Sequence, residues 1–280
     1  MTGGEQGNVP RAKELAGKVA IVTGAGRRRG IGRASALVLA EMGADVVITG
    51  TGRDPSTFPD DEKAVGWRDI ESVADEIRER GTRAFPLVVD VSDAAQVQQM
   101  VDRTVAEFGR LDVIVNNAAA PYGKDRMPVL EVDPEVFKRV IDIKLIGTFI
   151  CSRAAAAQMV KQGEGGRIIN LSSIVGKSGR ANTAAYSAAN FAVDGFTQAL
   201  AKELAPLGIT ANSVCPGLIG TARLDNMKPE AWDARIRSIP MHRAGSDSEV
   251  AELIGFLASP RSSYVTGQAI NVNGGDQTER

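Results

Sequence analysis

The chain has 280 residues, of which 33 are Lys or Arg and 34 are Asp or Glu, giving a formal net charge of −1. Because these charges nearly cancel, no global field draws the chain to nucleic acid or to an anionic membrane surface. Its two cysteines, Cys151 and Cys215, match neither a disulfide framework nor a zinc motif, so no metal site is predicted. No apolar run has the length needed to span a bilayer. The composition predicts a soluble, cytoplasmic protein.

The chain begins with a polar, glycine-rich stretch that lacks the hydrophobic segment of a signal peptide. We interpret 1–15 as a flexible N-terminal tail and 16–280 as a single domain. Short β-branched runs then alternate with longer segments of helical character. The runs predict strands at 18–24, 45–50, 84–91, 111–119, 166–173, 209–217 and 268–275, and the other segments predict helices at 30–43, 68–81, 93–109, 134–161 and 183–206.

This alternation indicates right-handed β-α-β units around a parallel sheet. The strand runs consist almost entirely of Val, Ile and Leu, as in strands that are buried on both faces. No linker separates two cores. The predicted fold class is therefore α/β: a single-domain, Rossmann-like, doubly wound parallel sheet with helices on both faces.

Two segments interrupt the alternation. Residues 51–67 contain two prolines and mixed charges where a short turn would suffice, and their acidic stretch "FPDDEK" is interpreted as keeping an exposed insertion soluble. Residues 218–245 lack strong periodicity and follow the carboxyl end of a predicted strand, where open α/β sheets bind ligands. We therefore predict an irregular insertion at 51–67 and a substrate-binding loop at 218–245.

The first predicted strand leads through a glycine-rich turn into the first helix. Glycines lie at positions 24, 26, 30 and 32 of "TGAGRRRGIG". Glycine lets the backbone approach a pyrophosphate and adopt positive φ, and the free N–H groups of a helix N-terminus attract anions. In this strand–turn–helix context, the pattern indicates a dinucleotide-binding site.

The charge near the second strand bears on which dinucleotide binds. NAD-binding domains usually end this strand with an acidic residue that accepts a hydrogen bond from the ribose 2′-hydroxyl, and here that position is Gly50. Arg27, Arg28 and Arg29 crowd the glycine turn, and Arg53 follows the strand. Guanidinium groups bind a 2′-phosphate well, so NADP(H) is predicted to be preferred, with NAD(H) left open. The alternative is that the arginines only form a solvated loop face.

The motifs, taken in order, resemble those of the short-chain dehydrogenase/reductase family, in particular its 3-oxoacyl-carrier-protein-reductase-like members. The resemblance covers 17–276. It is carried by "TGAGRRRGIG", "DV" at 90–91, "NNAA" at 116–119, "SS" at 172–173, "YSAAN" at 186–190, "CPGLIGT" at 215–221 and "YVTGQAINVNGG" at 264–275. The glycine turn is two residues longer than is usual in the family.

The resemblance implies an NAD(P)-dependent oxidoreductase that interconverts a secondary alcohol and a ketone, or a 3-oxoacyl-type substrate, by hydride transfer. It also implies a small-molecule substrate and a homo-oligomer, commonly a tetramer. The substrate wall would come from 120–130 and 218–245, which contain Pro121, Tyr122, Met127, Leu224, Met227, Trp232 and Met241. The implied cofactor-binding positions are Gly24, Arg27, Arg28, Arg29, Gly30, Ile31, Gly32, Arg53, Asp90, Val91, Asn117, Ala118, Ala119, Tyr186, Pro216, Gly217, Ile219 and Thr221.

The resemblance also assigns catalytic roles, with Tyr186 as general acid or base and Ser173 as the group that orients the substrate oxygen. A free phenol titrates near pH 10, and in the family a lysine four residues after the tyrosine favours the phenolate and binds the nicotinamide ribose. In this chain that position is Asn190. The family also has an asparagine on the preceding long helix, and here the matching residue is Lys144 in "IDIKLIGTF".

The lysine and the asparagine are therefore exchanged between two helices. We interpret this as a reciprocal exchange, in which Lys144 reaches the tyrosine from the other helix and Asn190 fills a hydrogen-bonding place. Two alternatives remain open at this point. Lys144 could be a surface lysine that only aligns with the asparagine. Asn190 could mark a degenerate site in a non-catalytic dinucleotide-binding sensor or scaffold.

Overall fold

A computed structural model of the chain describes residues 12–225 and 227–279. Most of the predicted tail, residues 1–11, lies outside the described residues. Leu15, at the end of that tail, is buried, and its N–H donates to the Met42 carbonyl at 2.9 Å. The packed part of the chain thus begins before residue 16. Within the described residues, no helix is long and apolar enough to cross a membrane.

Seven parallel strands form one sheet in the order β3-β2-β1-β4-β5-β6-β7. They are β1 (Val19–Val22), β2 (Asp45–Gly50), β3 (Ala84–Val88), β4 (Val113–Asn116), β5 (Gly166–Leu171), β6 (Ile209–Pro216) and β7 (Ala269–Val272). The strand order reverses between β1 and β4, and a crevice opens at the carboxyl ends of the strands at such a reversal. The predicted α/β, doubly wound fold is confirmed.

Helices cover both faces of the sheet. They are α1 (Ile31–Glu41), α2 (Asp60–Lys63), α3 (Ile70–Glu79), α4 (Ala94–Phe108), α5 (Pro134–Ile141), α6 (Gly147–Gln162), α7 (Ala184–Leu204), α8 (Pro229–Ser238) and α9 (Asp247–Ala258). Successive strand residues point to opposite faces. In β1, Ala20 and Val22 join the apolar cluster under α1, α3 and α9, whereas Ile21 joins the cluster under α4 and α6.

One turn of π-helix divides the long helix predicted at 134–161. The turn, Asp142–Ile146, joins α5 to α6, and the Gly147 N–H donates to the Asp142 carbonyl. Single π turns inside helices are frequent at functional sites. Lys144 lies in the middle of this turn with its side chain buried, and its carbonyl accepts a hydrogen bond from Thr148 Oγ1 at 2.6 Å.

Both irregular segments contain short helices. The insertion at 51–67 includes a 3₁₀ turn, Pro55–Thr57, and α2. The loop at 218–245 contains the ten-residue helix α8, which the sequence did not predict. None of the residues of α8 is buried. A helix without a buried apolar face lacks the periodicity by which a sequence reveals it.

Candidate active site

The glycine turn after β1 is held against the turn after β4. Asn117 Nδ2 donates to the Thr23 and Gly24 carbonyls at 2.8 and 2.9 Å. Thr23 Oγ1 accepts from the N–H groups of Asn117 and Ala118 at 3.0 and 3.1 Å. Gly24 has φ of +67°, and a Cβ there would lie 2.9 Å from the Ala118 Cα. Only glycine therefore allows the two turns to approach this closely.

Helix α1 starts at this turn without a side-chain cap. Gly30 occupies the N-cap position and makes no side-chain hydrogen bond, so the first N–H groups of the helix remain available. Gly30, Ile31 and Gly32 all line one cleft. Uncapped helical N–H groups thus lie beside this cleft, and this arrangement fits the pyrophosphate of a dinucleotide.

A cleft of about 1390 Å³ runs along the carboxyl ends of the strands. Arg28 is the one predicted cofactor residue that does not line it. Those that do are Gly24, Arg27, Arg29, Gly30, Ile31, Gly32, Arg53, Asp90, Val91, Asn117, Ala118, Ala119, Tyr186, Pro216, Gly217, Ile219 and Thr221. Of the predicted substrate wall, Pro121, Tyr122, Leu224 and Met227 line the cleft, whereas Met127, Trp232 and Met241 do not.

Ser173 and Tyr186 reach the cleft from different elements. Ser173 follows β5 and precedes the 3₁₀ turn Ile174–Gly176, where its Oγ accepts from the Val175 N–H at 3.4 Å. Tyr186 lies in the first turn of α7. Both side chains line the cleft. The Ser173 hydroxyl keeps its proton free to donate, because its described hydrogen bond uses only the oxygen as acceptor.

Asn190 lies behind the cleft and does not line it. The residue is fully buried, and its Nδ2 donates to the main-chain carbonyl of Tyr186 at 2.7 Å. Its Oδ1 is buried without a hydrogen-bond partner among the described residues. The side chain is thus folded back on its own helix, and it does not present its amide to the space in front of the tyrosine.

Lys144, in contrast, lines the cleft together with Ser173 and Tyr186. Its exposed fraction is 3 %, so the surface-lysine interpretation is wrong. Burial lowers the pKa of Lys144 to about 7, and the Arg223 guanidinium acts in the same direction, while Asp194 opposes it. Among the described residues, no carboxylate lies within ion-pair distance of this ammonium. Lys144 is therefore a buried amine that changes charge near neutral pH.

A buried carboxylate, Asp194, lies two turns beyond Tyr186 on α7. It accepts from Ser213 Oγ at 2.7 Å, and the Cys215 thiol lies 3.9 Å from its oxygens. Burial raises the pKa of Asp194. Burial, with the Asp194 charge acting in the same direction, raises the pKa of the Cys215 thiol to about 12. Cys215 is thus a protonated thiol at neutral pH, and it lacks the reactivity of a thiolate.

Two arginines that the sequence did not single out face Tyr186. Arg126 Cζ lies 3.8 Å from the ring centroid, and Arg223 Cζ lies 5.4 Å from it. Both line the cleft. They belong to the segments 120–130 and 218–245, in which only the apolar residues were assigned to the substrate wall. Their positions in these predicted substrate-wall segments were the one feature of the sequence that could have identified them as site residues.

The arginines predicted to bind a 2′-phosphate are mostly paired with carboxylates. Arg29 donates from Nε to Asp61 and from Nη1 to Asp225, each at 3.0 Å. The Arg28 N–H donates to Glu62 Oε1 at 2.9 Å, and its guanidinium lies 3.6 Å from Asp61. The side chains of Arg28 and Arg29 are 40% and 41% exposed, and they are not free positive charge, because their carboxylate partners tie the insertion to the glycine turn.

Arg53 is held by two acidic side chains. Its Nη1 donates to Glu62 at 3.0 Å and its Nη2 donates to Asp69 at 2.7 Å. Glu62 is fully buried, so the interpretation of "FPDDEK" as an exposed solubilising stretch is wrong at this residue. From sequence alone, a charged residue in an insertion is assigned to the surface. Only the tertiary fold shows that Arg53 pairs with Glu62 and allows it to be buried.

Comparison with known proteins gives a consistent result. A family model described as "Enoyl-(Acyl carrier protein) reductase" matches residues 24–276. A 3-oxoacyl-[acyl-carrier-protein] reductase of Staphylococcus aureus is 40% identical over 258 residues, which cover 92% of this chain and 97% of that protein. A 3-oxoacyl-[acyl-carrier-protein] reductase of Synechocystis is 40% identical over 262 residues, covering 93% and 97%.

Solved structures agree with this result. A short-chain type dehydrogenase/reductase from Mycobacterium marinum superposes with a TM-score of 0.84 at 34% identity, covering 95% of this chain and 98% of that one. A putative short-chain alcohol dehydrogenase from Sinorhizobium meliloti gives a TM-score of 0.83 at 31% identity over the same shares. The glycine turn, the sheet order and the Ser173–Tyr186 pair therefore have a common explanation: the chain belongs to the short-chain dehydrogenase/reductase family of oxidoreductases.

Proposed function

We propose that this chain is a nicotinamide-dinucleotide-dependent enzyme that interconverts a ketone and a secondary alcohol, with 3-oxoacyl compounds as the first substrates to test. The observation that carries the proposal is that Ser173, Tyr186 and Lys144 line the same cleft as the glycine turn. The activity named for the relatives from Staphylococcus aureus and Synechocystis supports the 3-oxoacyl class.

The bound dinucleotide would supply hydride to the carbonyl carbon in reduction and accept it in oxidation. The residues of the chain act on the oxygen. Ser173 Oγ donates a hydrogen bond to the carbonyl oxygen and fixes its position. Tyr186 transfers its phenolic proton to that oxygen in reduction, and its phenolate takes the proton back when the alcohol is oxidised.

Lys144 would be the cationic partner of Tyr186. An ammonium near a phenol stabilises the phenolate that remains after proton transfer, whichever helix carries the lysine. Asn190 would have a different role, because its amide is bonded to the Tyr186 carbonyl. It would fix the first turn of α7, and with it the direction of the tyrosine side chain.

The proposed cofactor is a nicotinamide dinucleotide, either NAD(H) or NADP(H). The sequence favoured NADP(H) on the basis of four arginines, of which Arg28, Arg29 and Arg53 are paired with carboxylates. Arg27 alone of the four has no carboxylate within ion-pair distance among the described residues. The arginines by themselves are therefore weak support for a 2′-phosphate site.

A homo-oligomer, as in the tetramers common in the family, is part of the proposal. Helices α6 and α7 expose large apolar side chains, with Phe149 on α6 at 43% and Phe191 on α7 at 47% exposure. Ile146, in the π turn, is 40% exposed. Exposed apolar side chains on adjacent helices indicate a surface that another copy would cover.

The test is oxidation of NADH and NADPH by the pure protein over a panel of small ketones and 3-oxoacyl thioesters. Tyr186→Phe should abolish turnover, and Lys144→Met should reduce it at least tenfold. Tyr264→Phe is the matched control, because Tyr264 is fully exposed. Dinucleotide binding without turnover of any substrate would instead favour a non-catalytic sensor or scaffold, the alternative raised by Asn190.

A further inference from the structure

The carboxylate of Asp69 lies at the end of β2, where the sequence itself has no acidic residue. A Cβ on Gly50 would lie 3.4 Å from Asp69 Oδ2, and a Cβ on Gly26 would lie 1.9 Å from Asp69 Oδ1. Asp69 thus fills the space between the strand end and the glycine turn, and it lines the same cleft. It comes from the residue before α3, on the far side of the insertion.

The two oxygens of this carboxylate have different environments. Oδ1 accepts from Arg53 Nε at 3.0 Å and from Arg53 Nη2 at 2.7 Å. Oδ2 is buried and has no hydrogen-bond partner among the described residues. Asp69 as a whole is only 7% exposed. A buried carboxylate oxygen that lacks a donor is unfavourable, so a ligand hydroxyl that reaches Oδ2 would restore a missing hydrogen bond.

The backbone of Asp69 is in a conformation that residues other than glycine rarely adopt, with φ of 55° and ψ of −129°. Such residues cost on the order of 1–3 kcal/mol and persist where their surroundings hold them in place. The Asp69 side chain makes the contacts that hold this conformation, because Arg53 donates two hydrogen bonds to its Oδ1. Arg53 is itself fixed by its ion pair with Glu62 and by the Phe58 ring, whose centroid lies 4.5 Å from Arg53 Cζ.

The charges around Asp69 disfavour a phosphate at this end of the cleft. Arg53 is the guanidinium in contact with Asp69, and its single positive charge is shared between Asp69 and Glu62. A 2′-phosphate would add about two negative charges beside these two carboxylates. Arg27 interacts electrostatically with all three members of this cluster, Arg53, Glu62 and Asp69, and also with Arg223.

We propose that Asp69 selects NAD(H) over NADP(H). Its Oδ2 accepts a hydrogen bond from the 2′-hydroxyl of the adenosine ribose, while the cluster of Arg53, Glu62 and Asp69 repels a 2′-phosphate. This preference replaces the NADP(H) preference predicted from the arginines. It rests on the proposed function only in taking a nicotinamide dinucleotide as the ligand of the cleft.

Binding measured by isothermal titration calorimetry tests the proposal without turnover. Wild type should bind NADH at least tenfold more tightly than NADPH, and ADP at least tenfold more tightly than adenosine 2′,5′-bisphosphate. Asp69→Asn should reduce both ratios about tenfold, because the amide keeps the shape but removes the negative charge. Asp60→Asn, in the same insertion but exposed and outside the cleft lining, should leave both ratios unchanged.

A second variant, Asp69→Gly, protects the test against misfolding, because glycine adopts the backbone conformation of residue 69 without strain. It should lose the discrimination as Asp69→Asn does. The proposal is overturned if wild type binds NADPH as tightly as NADH, or if both Asp69 variants keep the wild-type ratio. The comparison of ADP with adenosine 2′,5′-bisphosphate involves no nicotinamide, so it tests the role of Asp69 even if the protein reduces no ketone.

Discussion

The guanidinium of Arg126 covers one face of the Tyr186 ring, with Cζ 3.8 Å from the ring centroid. Burial lowers the pKa of Arg126, and the neighbouring Arg223 acts in the same direction. Asp125 is the carboxylate near Arg126, at 3.2 Å from its Nε. The place where a substrate oxygen would meet Tyr186 therefore carries an excess of positive charge.

From this excess we expect carboxylate-bearing ketones to be better substrates than their neutral esters. One charge-assisted hydrogen bond stabilises by roughly 1.5–3 kcal/mol, so kcat/KM should be at least about tenfold higher for a 3-oxo acid than for its methyl ester. Arg126→Met should remove the difference. Arg68→Met is the control, because Arg68 is exposed and pairs with Asp75. Equal kcat/KM for acid and ester in wild type would contradict the expectation.

The buried amine of Lys144 should make stability depend on pH. Its pKa is lowered in the folded protein to about 7, so between pH 7 and about 10 the unfolded chain binds more protons and stability rises with pH. Below pH 7 the folded protein must bury an ammonium. Lys144→Met should therefore raise the free energy of unfolding by about 3 kcal/mol more at pH 6 than at pH 9.5.

Urea denaturation of wild type and Lys144→Met at the two pH values measures this difference. Lys202→Met, on an exposed part of α7, is the control and should change stability little at either pH. A gain from Lys144→Met that is the same at pH 6 and pH 9.5 would refute the lowered pKa of Lys144.

The exchange of lysine and asparagine can be tested by reversing it. Asn190→Lys alone should destabilise by several kcal/mol, because it places a second ammonium in a fully buried position where a Cβ on Gly176 would already lie 3.0 Å from Asn190 Cβ. Lys144→Asn alone should reduce turnover. Because α7 packs against the π turn, the double variant should recover part of both losses. Thermal denaturation and kcat of the four proteins complete the cycle, and strictly additive effects would argue against an exchange.

Arg53 should be important for stability as well as for the cofactor. Its removal leaves Glu62 and Asp69 buried without their cationic partner, so Arg53→Met should lower the free energy of unfolding by about 2–4 kcal/mol. Arg68→Met, which breaks an exposed pair, should cost less than about 1 kcal/mol. Urea titrations of the two variants give the comparison, and similar losses would show that the buried cluster contributes no more than a surface pair.

The exposed phenylalanines of α6 and α7 predict that the protein is an oligomer in solution. Light scattering after size-exclusion chromatography should give the mass of an oligomer for wild type. A Phe149→Ser, Phe191→Ser double variant should give a smaller species, because both apolar side chains would lie in an interface between copies. Val88→Ser is the control, since Val88 is 64% exposed on the edge strand β3, away from these helices. An oligomer that persists in the double variant would place the interface elsewhere.

The sheet could be predicted from the sequence because its central strands are mostly buried runs rich in apolar residues. Ile21 and Val22 are completely buried on opposite faces of β1, so neither face tolerates a polar residue and the run is unmistakable. The ordered set of motifs, which includes Ser173 and Tyr186, was equally informative, since it carried the family resemblance. Helix α8 and the π turn at Lys144 were missed, because neither leaves a periodic apolar pattern.

The electrostatics of the cleft could not be predicted from the sequence. Arg53 and Asp69 are sixteen positions apart and were assigned to an insertion and to the start of a helix, yet they form one ion pair. Arginines near the glycine turn were therefore counted as free positive charge. Partners for a charge depend on which segments the fold brings together, and periodicity carries no information about that.

The bridging position of Arg29 links two segments that are far apart in the sequence. Its guanidinium joins Asp61 in α2 to Asp225 in the loop before α8, and its carbonyl accepts from the Ala222 N–H. One residue of the glycine turn thus ties the insertion to the substrate-side loop. Added salt, which screens exposed ion pairs, should loosen this tie and make both segments more mobile together.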